Sequence, residues 1–168
     1  MNYHEIKKTD SGNGPGVRVS VFFSGCSLRC PGCFNSKTWD KDSGQPFTQE
    51  IFDEIIVALK PKWISGLSLL GGDPLEEYNL EDTLTLIQKT REEFGSSKSI
   101  WLWTGRTLEA LQRKDDETIN QILEGIDILI DGPFVADLKD TINLTYGGSK
   151  NQRLWKKNKK GQFIIGKI

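Results

Sequence analysis

Residues 17–35 read V-R-V-S-V-F-F-S-G-C-S-L-R-C-P-G-C-F-N. Over 17–24 the pattern alternates and then turns fully apolar, as in a strand whose end is buried. The remainder holds every cysteine of the chain, Cys26, Cys30 and Cys33, spaced C-x3-C-x2-C. Three thiolates on one short loop can each grip one iron of a cubane. Iron–sulfur clusters usually take four cysteines, so three leave one iron without a protein ligand. An open coordination position separates catalytic metal sites from closed structural ones. The loop therefore reads as the holder of a [4Fe–4S] cluster that presents one iron to a substrate. Its place after a strand agrees with α/β barrels, whose active sites sit at strand C-termini.

Blander readings stand beside this one. A structural zinc site wants four ligands, and His4 is the single histidine. A Cys3His site using His4 lacks finger-like spacing. Three buried cysteines without any ligand are the other alternative. An odd count and no secretory pattern argue against a disulfide framework.

The length of 168 residues suits one domain with its own core. A formal net charge of −1 argues against a general nucleic-acid binder. No apolar run approaches the roughly 20 residues of a membrane span. Met1-Asn2-Tyr3-His4-Glu5 has no signal-peptide pattern, and unpaired cysteines fit a reducing cytoplasm.

Outward from the cysteines, residues 1–16 read as a polar, Gly-rich loop closed by Asn13-Gly14-Pro15-Gly16. Thr48 is a helix N-cap residue type, and Ile51, Phe52, Ile55, Ile56 and Leu59 mark one face of a helix stopped by Pro61. Residues 66–70 are a short buried strand running into Gly71-Gly72-Asp73-Pro74; a glycine pair there lets another molecule approach the backbone. Asn79 is placed to cap a second helix that Gly95 ends. Residues 99–104 form a third strand, with Trp101 and Trp103 on one interior face. Two short helices over 107–113 and 117–124 lead to a strand over 126–130 and to Asp131-Gly132-Pro133-Phe134. Asp131 reads either as a loop cap or as part of the site. Residues 153–155 suggest a last short strand, and the lysines over 156–160 begin a basic tail, 156–168, read as solvated.

Strands and helices alternate four times, which implies a parallel sheet with helices outside. Eight βα units need about 250 residues. The expectation is an α/β fold: a partial, open parallel (β/α) barrel. No Ser-His-acid set, G-x4-G-K-[ST] or H-E-x-x-H offers a rival active site.

The cysteine triplet at the end of the first strand resembles the radical S-adenosylmethionine (SAM) superfamily. Asn13-Gly14-Pro15-Gly16 with Arg18, Cys33-Phe34-Asn35, Thr38-Trp39, residues 44–48, Gly71-Gly72-Asp73-Pro74-Leu75 and residues 101–105 narrow the likeness. They resemble the branch of small activases that serve anaerobic ribonucleoside-triphosphate reductase, over residues 1 to about 153. The resemblance implies a radical SAM barrel and a cluster on Cys26, Cys30 and Cys33, with SAM on the fourth iron. It places Gly71, Gly72 and Asp73 at the methionine amino group. It places Gly32, Cys33 and Phe34 at the adenine; glycine at 32, where many members carry an aromatic, shifts stacking to Phe34. Thr104 suits a ribose hydroxyl or a turn cap equally. The implied activity is reductive cleavage of SAM and formation of a glycyl radical on the reductase's large subunit. A one-electron donor such as flavodoxin would supply the electron. The alternatives are an activase of another glycyl-radical enzyme, of formate-lyase type, and a non-catalytic Fe–S or zinc binding module. Only an activase would cleave SAM.

Overall fold

The computed structural model describes residues 1–167. Eight strands form one mixed sheet: β1 (Asn2–Asp10), β2 (Val17–Phe23), β3 (Gln45–Pro46), β4 (Ile64–Gly71), β5 (Ser99–Trp103), β6 (Ile128–Asp131), β7 (Arg153–Lys157) and β8 (Phe163–Ile165). The helices are α1 (Gln49–Leu59), α2 (Leu80–Phe94), α3 (Leu108–Lys114) and α4 (Glu117–Gly125). The spatial order is β3-β1-β2-β4-β5-β6-β7-β8. The inner strands β2, β4, β5 and β6 are parallel. β1 and β3 add antiparallel at one edge, and β7 and β8 at the other. The sheet is open, as expected. It is parallel only at its centre, which corrects the expectation of a purely parallel sheet.

Both corrections concern the ends of the chain. Residues 2–10 are a strand rather than a loop. Their sequence, N-Y-H-E-I-K-K-T-D, carries no apolar alternation because only Asp10 is buried. Antiparallel strands near a sheet edge tolerate such polarity, since one face meets solvent. Pairing with β2 runs through Tyr3↔Phe23, Ile6↔Val21 and Lys7↔Ser20. Likewise the segment read as a solvated tail is a hairpin through residue 165, with Trp155↔Ile165 and Lys157↔Phe163 paired. Lys157 donates to the Glu124 carbonyl and lies over the Phe163 ring, so its charge hid an ordered strand. Residue 168 of that tail lies outside the described residues.

Alternation assigns the two faces of the sheet. Val19, Val21 and Phe23 of β2 join Leu67 and Leu69 of β4, Ile100 and Leu102 of β5 and Leu129 of β6 in the main core. All four helices supply that core, among them Ile55 of α1, Leu86 of α2, Leu111 of α3 and Ile122 of α4. The opposite face carries Arg18, Ser68, Ser99, Trp101 and Ile130. Trp101, Ile130 and Leu154 form a separate small cluster there, with Trp103 and Tyr146 packed against it.

Arg18 is fully buried on this second face. Its guanidinium donates to Ser68 Oγ (2.7 Å), Ser99 Oγ (2.8 Å) and the carbonyls of Leu67 (2.8 Å) and Ser99 (2.9 Å), and it sits 5.5 Å from the Trp101 ring centroid. Among the described residues no carboxylate touches it, and burial lowers its pKa to about 10. One charged residue thus ties β2, β4 and β5 across their N-terminal halves. Arg18→Ala should leave several buried acceptors unpaired and cost about 3 kcal/mol or more. Urea unfolding of the wild type and variant will measure this.

Candidate functional site

The loops that leave the C-terminal ends of the parallel strands meet around one cavity of about 450 Å³. Cys26, Cys30, Cys33 and Phe34 line it from the loop after β2, and Gly71 and Gly72 from the loop after β4. Thr104 and Gly105 enter after β5, and Gly132 and Phe134 after β6. Tyr146, Gly147, Gly148 and Gln152 close the far side. Gly12 and Asn13 line it from the segment before β2, where the Asn13 carbonyl accepts from Ser68 Oγ at 2.6 Å. Lys7 is the one charged Lys, Arg, Asp or Glu among these lining residues, and its ammonium lies 5.2 Å from the Phe22 ring centroid.

The cysteine loop has little regular structure and is fixed by specific contacts. Gly25 N–H donates to the Thr38 carbonyl (2.7 Å) and Cys26 N–H to the Trp39 carbonyl (3.1 Å). Cys33 N–H closes a turn on the Cys30 carbonyl (3.1 Å), and Asn35 N–H points at Cys33 Sγ (3.4 Å). All three thiols are partly exposed and free of disulfides. Burial pushes the Cys26 thiol up to about 11, with Asp73 and Glu76 adding to the rise against opposing backbone hydrogen bonds. A metal bound there through the thiolate would displace that proton. Among the described residues, no three His, Cys, Asp or Glu side chains close around a single ion. A mononuclear thiolate site brings its sulfurs to within about 4 Å of each other, whereas a cubane offers each cysteine its own iron. Three half-buried thiols facing one cavity fit that donor set.

The glycine pair serves a purpose that the sequence did not show. A Cβ at Gly72 would meet the Gly25 carbonyl oxygen at 2.3 Å, and one at Gly71, where φ is +106°, would meet backbone atoms of Phe22 and Phe23 at 2.5–2.7 Å. The molecule approaching this backbone is the protein's own cysteine loop. Gly72 N–H donates to the Phe23 carbonyl and Asp73 N–H to the Gly25 carbonyl, both at 2.8 Å.

Asp73 and Gly32 do not line the cavity, while Cys33, Phe34, Gly71, Gly72 and Thr104 do. The Asp73 carboxylate is buried and accepts from Leu75 N–H (2.9 Å), Thr104 Oγ1 (2.9 Å), Gly105 N–H (3.1 Å) and Arg106 Nη1 (2.7 Å). Burial raises its pKa against the pull of Arg106 and these donors. Gly32 takes a positive φ of 76° in the turn before Cys33. Phe34 is more than half exposed at the cavity mouth, with its ring centroid 5.1 Å from that of Phe134 and Lys139 over its face.

Two cap assignments change. Thr48 occupies the N-cap of α1 without a side-chain bond to the helix. Asn79 precedes α2, but its amide is buried and donates to the Ser24 and Asp73 carbonyls at 3.1 and 3.0 Å, pinning the two site loops together. Asp131 is fully buried, accepts from Leu108 N–H at the start of α3 and from Arg153, and stays out of the cavity. Sequence reading missed Glu76 and Arg106. Glu76 Oε1 accepts from Ser27 N–H and Oγ, both at 2.7 Å, and lies 3.1 Å from Arg106 Nη2. An isolated Glu and Arg so far apart in sequence carry no local signal.

A family model described as a 4Fe-4S single cluster domain matches residues 12–155, which sets the chain among single-cluster iron–sulfur proteins. The anaerobic ribonucleoside-triphosphate reductase-activating protein of Escherichia coli strain K12 is 46% identical over 154 residues, 90% of this chain and 96% of that protein. Its namesake in Vibrio cholerae is 45% identical over the same shares. That of Enterobacteria phage T4 is 39% identical over 155 residues, 92% of this chain and 94% of its own. The chain belongs to the family of anaerobic ribonucleoside-triphosphate reductase-activating proteins.

Gly72→Val drives a branched side chain into the Gly25 backbone beside Cys26. It should cost about 2 kcal/mol or more and lower iron uptake. Thermal unfolding, and iron content after anaerobic reconstitution, will show both losses.

Proposed function

We propose that this chain is a radical SAM activase that generates a glycyl radical on the large subunit of an anaerobic ribonucleoside-triphosphate reductase. The observation that carries the reading is the triplet Cys26, Cys30 and Cys33, without a fourth cysteine, facing one cavity with Gly71 and Gly72. Family membership supports it, because the relatives are named as activators of that reductase. On this reading the open sheet is the partial barrel of the radical SAM fold.

When bound, the cluster would supply one electron for reductive cleavage of the S–C5′ bond of SAM, which would yield methionine and a 5′-deoxyadenosyl radical able to take a hydrogen atom from a reductase glycine. The chain's own part is binding, orientation and exclusion of side reactions. Cys26, Cys30 and Cys33 would hold three irons and leave the fourth for the amino and carboxylate groups of SAM. Gly72 N–H is already bonded to Phe23, so the glycine segment offers an ammonium group its carbonyl oxygens. Thr104 Oγ1 donates its proton to Asp73; it meets a ribose hydroxyl as acceptor. Asp73 acts through Thr104 and Gly105 rather than by contact. Phe34 and Phe134 form an aromatic mouth suited to a flat base, with Gly32 and Cys33 shaping the turn beneath. A one-electron donor of flavodoxin type reduces the cluster. Among the described residues, no helix is long and apolar enough to cross a membrane, and the chemistry belongs in a reducing cytoplasm.

The test is anaerobic reconstitution, followed by iron and sulfide analysis and EPR of the reduced protein with and without SAM. About four irons per chain and a signal that changes on adding SAM are expected. Cys30→Ala should abolish cluster assembly and SAM cleavage. One zinc per chain, or a cluster indifferent to SAM, overturns the reading and favours a binding module.

A further inference from the structure

The segment between the first two cysteines, Ser27-Leu28-Arg29, has neither helix nor strand to hold it. Upstream of it the loop is tied by backbone bonds at Gly25 and Cys26. Within it, among the described residues, Ser27 alone is tied by hydrogen bonds to a side chain outside the loop, and both go to one atom, Glu76 Oε1. Glu76 is 7% exposed at its side chain and receives Arg106 Nη2 on the same oxygen. Arg106 in turn is fixed by the buried Asp73 carboxylate. A chain of charge-assisted bonds thus runs from the loop after β5, through the loop after β4, to the backbone next to Cys26.

We propose that Glu76 is a positioning residue: it fixes the Cys26–Cys30 segment in its ligating conformation before any cluster is present, and Arg106 and Asp73 hold Glu76 in place. This rests on the reading of the three cysteines as cluster ligands. A carboxylate beside the prospective Cys26 thiolate is electrostatically unfavourable by itself. Arg106 offsets that charge, and the bonds to Ser27 give the carboxylate its purpose. Such charge-assisted bonds are short and about twice as strong as neutral ones. Partners that orient metal ligands without touching the metal commonly change affinity by about 10- to 100-fold when removed.

Two variants separate the geometry from the charge. Glu76→Gln keeps an acceptor for Ser27; Glu76→Ala removes it. The first readout needs no metal: amide hydrogen exchange of the apo chain. Exchange over residues 26–30 should quicken about tenfold or more in Glu76→Ala, with the strands unchanged, and stay within about threefold of wild type in Glu76→Gln. The second is iron release from reconstituted protein to a chelator, expected to be about tenfold faster in the alanine variant and restored by glutamine. If Glu76→Ala does not fold, Ser27→Ala, which removes only the hydroxyl bond, should still speed release by about threefold. Unchanged exchange over 26–30 in a folded Glu76→Ala protein overturns the proposal, as does unchanged release in the Ser27→Ala fallback. A wild-type chain that takes up no iron overturns the cluster reading instead, and the exchange measurement still decides the role of Glu76.

Discussion

The interaction on which the site depends is the burial of the Asp73 carboxylate. It lies out of reach of solvent and spends its acceptor capacity on two loops of its own protein. Leu75 N–H comes from the loop after β4, and Thr104, Gly105 and Arg106 from the loop after β5. Desolvating a carboxylate costs several kcal/mol unless donors replace its water. Here the donors exist only when both loops are in place. The carboxylate therefore stabilises one relative arrangement of two strand ends and makes others costly. Asn79 extends the constraint to the loop after β2 by donating to the Ser24 and Asp73 carbonyls.

The two faces of the sheet divide the labour. The helix-covered face is apolar from β2 to β6 and provides the packing that holds the parallel strands. The other face carries Arg18 and its serine partners towards the strand starts and the aromatic cluster beside them. Towards the strand ends this face opens into the cavity. The antiparallel additions at each edge widen the sheet without closing it.

Much of this arrangement was legible in the sequence because it is local. Residues 17–24 alternate as a strand should. The three cysteines share a loop, and Gly95 and Pro61 punctuate helices where the structure ends them. What escaped reading is what a linear pattern does not encode. β1 looks like a loop because Glu5, Lys7, Lys8 and Thr9 are exposed, and its strand character comes from pairing with β2. The lysines of β7 look like a tail although Lys157 packs over Phe163 and the strand is paired with β6 and β8. Gly71-Gly72 carries a recognisable signal, but not its cause, since the partner of Gly72 is Gly25, far off in sequence. Asp73 stands out as a motif residue, whereas the Arg106 and Glu76 that complete its network are single residues without periodicity. Such contacts are set by tertiary packing.

The plug formed by Arg18, with Asn13 and Ser68 above it, has a consequence for traffic. Below the cavity this face is filled by a charged side chain hydrogen-bonded to Ser68, Ser99 and the Leu67 carbonyl, which closes the cavity floor on that side. The mouth beside Phe34 and Phe134 lies on the side of the cysteine loop. For the activase proposed above, a small ligand would therefore have to be seated before a large partner covered the opening. In such a vestibule, how long a covering partner stayed would set how soon the cavity could be refilled.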